Sequence, residues 1–171
     1  MSQAKVHFIT GGQRSGKSAY AEKVGLALSD NPIYLATSKK WDDEHNERII
    51  THQNSRASNW ITIEEEVNID IHDFNNQVVL IDCITLWLTN IFFNNKYDKD
   101  LALAEAKKIW SKLIAQNCQL IVVSNEIGMG GVAMDNSARR FADLQGLINQ
   151  HIASLANEVT LTVSGIPVKI K

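Results

Sequence analysis

Only two cysteines, two prolines and nine glycines occur in 171 residues, and each scarcity closes off a class of protein. Cys83 and Cys118 lie far apart and outside any Cys-x-x-Cys or Cys/His ligand spacing, so neither a disulfide framework nor a zinc site is expected, only two buried thiols. With so little proline and glycine, and 44% hydrophobic against 21% charged residues, a disordered or collagen-like chain is excluded. Charge of one sign is also missing. The 17 Lys+Arg against 19 Asp+Glu leave a formal net charge of -2 with no like-charge block, which argues against nucleic acid as the partner. No long hydrophobic run is present either: the stretch from Val78 to Phe93 is interrupted by Asp82, Thr85, Thr89 and Asn90, short of the ~18 apolar residues of a membrane span. Met1 to Lys5 enters a short apolar strand and then glycines, without the pattern of a signal peptide. A single cytoplasmic domain covering residues 1–171 is the expectation.

What is present is an alternation of short apolar runs with longer helical patterns, the signature of a mostly parallel sheet with crossover helices. Strands are expected at Val6–Ile9, Ile33–Ala36, Trp60–Glu64, Val78–Ile81 and Leu120–Val123. Helices are expected at Ser18–Leu28, at Asp42–Arg56 with acidic residues first and basic ones later, and from about Ile84. Two more are expected at Leu101–Ile114 and along the face Phe141, Leu144, Ile148, Ile152 and Leu155. Asn125–Asp135, holding Gly128, Gly130 and Gly131, reads as a flexible loop. Val159–Ser164, a Gly165-Ile166-Pro167 turn and Val168–Ile170 read as a closing antiparallel hairpin.

The strongest chemical signal is Gly11-Gly12-Gln13-Arg14-Ser15-Gly16-Lys17-Ser18, a full G-x-x-x-x-G-K-[ST] match between the first strand and the first helix. In such a loop successive backbone N–H groups curl around phosphate and the helix N-terminus adds positive potential. Lys17 then reaches the β- and γ-phosphates and the Ser18 hydroxyl can ligate Mg²⁺. An acidic residue ending a buried strand usually completes the metal site, and Val78-Val79-Leu80-Ile81-Asp82 supplies Asp82, unless that residue only caps the next helix. These features indicate a nucleoside triphosphate and Mg²⁺. They do not separate a kinase from a motor or a switch.

A second pattern narrows the choice. Glu44, Arg48, His52 and Arg56 follow at four-residue spacing and share one face of the expected helix, placing an imidazole between two guanidiniums. Arginines grip phosphate oxygens, and their charge lowers the histidine pKa so that a neutral, nucleophilic imidazole is available. The alternative is a solvated amphipathic face. His7, His72 and His151 read as structural or surface residues, and His45, one residue off the stripe, is a weaker candidate nucleophile.

With Ala36-Thr37-Ser38, Asp42-Asp43-Glu44, Arg48-Ile49, His52, Arg56, Trp60, Thr62 and Glu64, the phosphate loop resembles the bifunctional adenosylcobinamide kinase / adenosylcobinamide-phosphate guanylyltransferase family. Asp82-Cys83-Ile84-Thr85, Thr89-Asn90, Ser124 to Gly130, Ala138-Arg139, Phe141, Asn149-Gln150 and Val163 to Pro167 extend the resemblance nearly end to end. Ala57 and Ala133 stand where the family pattern has proline, and Thr51 where some members have a second histidine.

The resemblance implies a RecA-like P-loop fold, ATP and GTP as nucleotides, a corrinoid substrate and a homotrimer. It implies phosphorylation of the aminopropanol hydroxyl of adenosylcobinamide, then GMP transfer from GTP through a histidine phosphoramidate, which falls on His52. It also places Thr37, Ser38, Lys39, Gln53, Asn54, Ser55, Arg56, Glu64 and Asp82 along the GTP site. From the residues alone, a P-loop kinase of another small alcohol and a non-catalytic nucleotide-binding module stay open.

Overall fold

The computed structural model describes residues 3–39 and 59–171. The expected helix at 42–56, with His45, His52 and the Gln53 to Arg56 segment, lies outside the described residues. The described residues form a seven-stranded sheet in the order β3-β2-β4-β5-β1-β6-β7. Its strands are β1 (Lys5–Gly11), β2 (Ile33–Ala36), β3 (Ile61–Glu64), β4 (Val78–Asp82), β5 (Gln119–Val123), β6 (Glu158–Val163) and β7 (Ile166–Lys169). All neighbouring pairs are parallel except β6 with β7.

Helix α1 (Lys17–Leu28) covers one face of the sheet; α2 (Ile84–Asn94), α3 (Lys99–Leu113) and α4 (Asn136–Leu155) cover the other. Alternation along each strand divides the core accordingly. Ile9, Tyr34, Leu80, Ile121 and Val123 pack with Ala21 of α1, whereas Phe8, Leu35, Val79, Ile81, Leu120 and Val122 pack against Trp87, Leu88, Trp110, Leu144 and Ile148. Burial on both faces is why these strands read as unbroken apolar runs. Two helices begin at acidic caps: Asp98 accepts from the N–H groups of Asp100 and Leu101, and Asp135 from that of Ala138.

Two expectations are corrected. The hairpin turn falls on Ser164 and Gly165, both at positive φ (50° and 83°), and Ile166 and Pro167 belong to β7. Proline is tolerated there because β7 is an edge strand. Leu155, expected on the buried face of its helix, is the helix's last residue and is half exposed.

Candidate active site

Every phosphate-binding candidate among the described residues lies at the carboxyl edge of the sheet, where open α/β sheets place their ligands. β1 ends at Gly11, the loop turns through Arg14 and Gly16 at positive φ (55° and 93°), and α1 starts at Lys17. Gly12, Gln13 and Arg14 are exposed, while Ser15 and Lys17 are buried. The Lys17 ammonium folds back over the loop, donating to the Gly12 carbonyl and, at 3.4 Å, to Ser15 Oγ. Burial pushes the Lys17 pKa down, while Cys83 and Asp82 nearby oppose that shift.

The closing hairpin braces this loop, a role not evident from the sequence. Ser15 Oγ and Thr162 Oγ1 are 2.7 Å apart, and the Gly165 N–H donates to the Ser15 carbonyl at 2.9 Å. Gly11 is required by this contact, because a Cβ there would sit 2.5 Å from the Thr162 carbonyl oxygen and 2.8 Å from Ser15 Oγ. Gly11→Ala is therefore expected to cost about 3 kcal/mol of stability by overpacking. Urea unfolding of the variant measures the loss, and an unchanged midpoint would show that the hairpin does not press on the loop.

Asp82 ends β4 with its carboxylate on the α1 face. Its Oδ2 accepts a 2.7 Å hydrogen bond from the Tyr34 hydroxyl, and α2 is capped by Cys83 without a side-chain bond. The helix-cap alternative for Asp82 is thus not what the structure adopts. Tyr34 meets the Trp60 ring edge-on at 5.8 Å, and Trp60 in turn lies against Gly25 of α1. One carboxylate oxygen is oriented by Tyr34, and a carboxylate with the Ser18 hydroxyl is the hard-oxygen donor set that suits Mg²⁺ with phosphate oxygens and water completing it. Losing an orienting partner of a metal ligand weakens binding by about 10- to 100-fold. Tyr34→Phe is expected at the lower end, read as a rise in the Mg²⁺ concentration for half-maximal activity.

The ends of β2 and β4 are tied together by Thr37, whose hydroxyl donates to the Cys83 carbonyl (2.8 Å) and accepts from the Cys83 N–H (3.0 Å). Asn90 Nδ2 donates to the carbonyls of Thr37 and Glu66, both at 2.9 Å. Ser38 and Lys39 continue from that end, and Glu64 stands opposite Ala36 on β3. Strand spacing places β3 about 19 Å along the sheet from β1, a separation only an extended ligand could bridge. Cys83 is buried, and burial pushes its thiol up to about 12. Of the described histidines, His7 Nε2 pairs with Thr160 Oγ1 at 2.8 Å, His72 lies 4.0 Å from Glu65, and His151 rides on α4 with its pKa lowered chiefly by burial.

The arrangement can hold a polyphosphate on the loop and a metal beside it. The family model for cobinamide kinase / cobinamide phosphate guanyltransferase matches residues 7–170. The chain belongs to this family. A bifunctional adenosylcobalamin biosynthesis protein CobU of Escherichia coli (strain K12) is 42% identical, with the match covering 95% of this chain and 98% of that protein. Its namesake from Salmonella typhimurium (strain LT2) is 38% identical over the same shares, and CobP of Pseudomonas aeruginosa (strain PAO1) is 36% identical, covering 95% of each chain. Among solved structures, an ATPase from the type III secretion system of pathogenic bacteria superposes with a TM-score of 0.52 at 12% identity, covering 92% of this chain and 50% of that one. That likeness supports the P-loop ATPase fold expected for this family. No helix among the described residues is long and apolar enough to cross a membrane.

Proposed function

We propose that this member of the family phosphorylates the aminopropanol hydroxyl of adenosylcobinamide with ATP or GTP. It then transfers GMP from GTP to adenosylcobinamide phosphate by way of guanylyl-His52, releasing pyrophosphate. The observation that carries the reading is the family match over residues 7–170, and the braced phosphate loop beside the Tyr34-oriented Asp82 at one sheet edge supports its nucleotide half. Backbone N–H groups of Gly12 to Lys17 cradle the β- and γ-phosphates, and the Lys17 ammonium carries the charge that develops on them. Ser18 and Asp82 would hold Mg²⁺, which when bound there would neutralise phosphate charge and orient the leaving group.

In the second reaction the His52 imidazole attacks the α-phosphorus of GTP, its N–P bond forming as the bond to pyrophosphate breaks. The phosphate oxygen of adenosylcobinamide phosphate then displaces the imidazole, giving adenosylcobinamide-GDP. Arg48 and Arg56, spaced to flank His52, are assigned to the phosphates. Ser38, Lys39, Gln53, Asn54, Ser55 and Glu64 are assigned with Thr37 to the GTP site, the Thr37 hydroxyl serving to hold the Cys83 backbone. A cytoplasmic homotrimer is proposed on the family resemblance alone.

Incubating the protein with Mg²⁺ and GTP labelled at the α-phosphate tests the reading. Acid-labile, base-stable label on the protein, and its passage to adenosylcobinamide phosphate, is the expected result. Phosphorylation of adenosylcobinamide without protein label would reduce the protein to a simple kinase. Nucleotide hydrolysis with no corrinoid product would overturn both halves.

A further inference from the structure

We infer that Glu126 is the general base of the kinase reaction, accepting the proton of the substrate hydroxyl as that oxygen attacks the γ-phosphorus. The inference rests on the kinase half of the function proposed above. β5 is the strand between the one that feeds the phosphate loop and the one that ends at Asp82, and Glu126 lies three residues beyond its end. Its main chain is held from both sides: the Glu126 N–H donates to the Gly11 carbonyl at 3.0 Å, and the Asn125 N–H to Thr85 Oγ1 of α2 at 3.1 Å. The residue is therefore anchored between the phosphate loop and the Asp82 turn.

The side chain is positioned by a buried polar cluster that also ties the end of β5 to α4. Asn149 Nδ2 donates to the Asn125 carbonyl at 3.1 Å and lies 3.4 Å from Glu126 Oε2. Asn149 is itself held in place: its Oδ1 accepts from Ser124 Oγ at 2.7 Å and from Gln145 Nε2 at 3.0 Å, and Gln145 Nε2 also reaches Ser124 Oγ at 2.7 Å. Ser124, Gln145 and Asn149 are at most 5% exposed, so this arrangement fixes one carboxylate oxygen from the protein interior. The other, Oε1, faces the glycine loop, 3.9 Å from where a Cβ on Gly128 would be. Glu126 forms no ion pair among the described residues. Beyond it, Met129, Val132 and Met134 are left open to solvent, a rim that a bulky, partly apolar acceptor would meet.

In the step assigned, the hydroxyl oxygen forms its bond to the γ-phosphorus, and the bond from that phosphorus to the β,γ-bridging oxygen breaks. The hydroxyl proton passes to a Glu126 carboxylate oxygen, and the nucleoside diphosphate leaves. Positioned bases contribute about 10²- to 10⁴-fold.

The test is Glu126→Gln, which keeps the shape and an acceptor for Asn149 but cannot take the proton. Adenosylcobinamide phosphorylation is expected to lose about 10²-fold or more in kcat with nucleotide KM within about threefold, and Glu126→Asp to recover part of the loss. Equal thermal midpoints for the variants and the parent protein confirm that folding is not the cause. A Glu126→Gln enzyme with near-parent kcat, or one whose whole defect is in nucleotide KM, overturns the assignment. If the parent protein fails to phosphorylate adenosylcobinamide, the kinase reading falls instead, and that outcome is read before any variant is made.

Discussion

His52→Ala is expected to carry no acid-labile label from GTP and to lose guanylyl transfer by on the order of 10⁴-fold or more, the scale seen when a covalent nucleophile is removed. The reason is chemical. Without the imidazole no N–P bond can form, and GMP transfer would require direct attack of one phosphate dianion on another polyphosphate, where like charge opposes approach. Arg48 and Arg56, placed four residues either side in the sequence, would still draw the nucleotide, so the variant should keep GTP affinity while losing turnover. Phosphorylation of adenosylcobinamide uses the phosphate loop and is expected to continue. Label that persists in His52→Ala but disappears when His45 is also replaced would move the nucleophile to His45. Label that persists in both would end the phosphoramidate mechanism at either histidine.

The parts of the site that were legible in the sequence are those written in consecutive residues. Gly11 to Ser18 announces its own strand, loop and helix, and Val78 to Asp82 announces a buried strand with a carboxylate at its end. Tyr34 could not be assigned that way. Its hydroxyl reaches Asp82 because β2 pairs with β4 in a register that sets Tyr34 opposite Leu80, two residues from the carboxylate on the same face. No spacing along the chain encodes that register. Thr162 is similar: a buried threonine in an alternating strand reads as core, and its contact with Ser15 spans 147 residues. The hairpin turn falls earlier than its residues suggest because Gly165 and Pro167 are both breakers, yet Ser164 takes the left-handed conformation and Pro167 pairs with Thr162. The glycines of 125–135 read as a flexible loop, but the structure pins its first residues to Gly11 and Thr85 and gives 128–130 a 3₁₀ turn. Glycine content reports what a segment can adopt. Tertiary hydrogen bonds decide what it does adopt.

Lys17→Ala is expected to slow both reactions by about 10³-fold, roughly 4 kcal/mol of transition-state stabilisation, while leaving thermal stability close to that of the parent. The separation follows from where the ammonium sits. Lys17 is buried and its charge is disfavoured by desolvation, so the free protein gains little from it; among the described residues its ammonium donates to the Gly12 carbonyl and Ser15 Oγ. Gly12 is exposed, so water can satisfy its carbonyl after truncation, and Ser15 keeps its contact with Thr162. What is lost appears only when polyphosphate arrives: the negative charge that would offset desolvation has no counterpart, and charge moving onto the leaving oxygens goes unmatched. Lys17→Arg should not rescue activity, because a planar guanidinium cannot occupy the compact position over the loop that a single ammonium fills. Rates of adenosylcobinamide phosphorylation and of protein labelling, measured with the thermal midpoint of each variant, separate the two effects. A large fall in midpoint with proportionate loss of activity would mean that Lys17 holds the loop together, whereas lost turnover in a stable protein places its action at the phosphates.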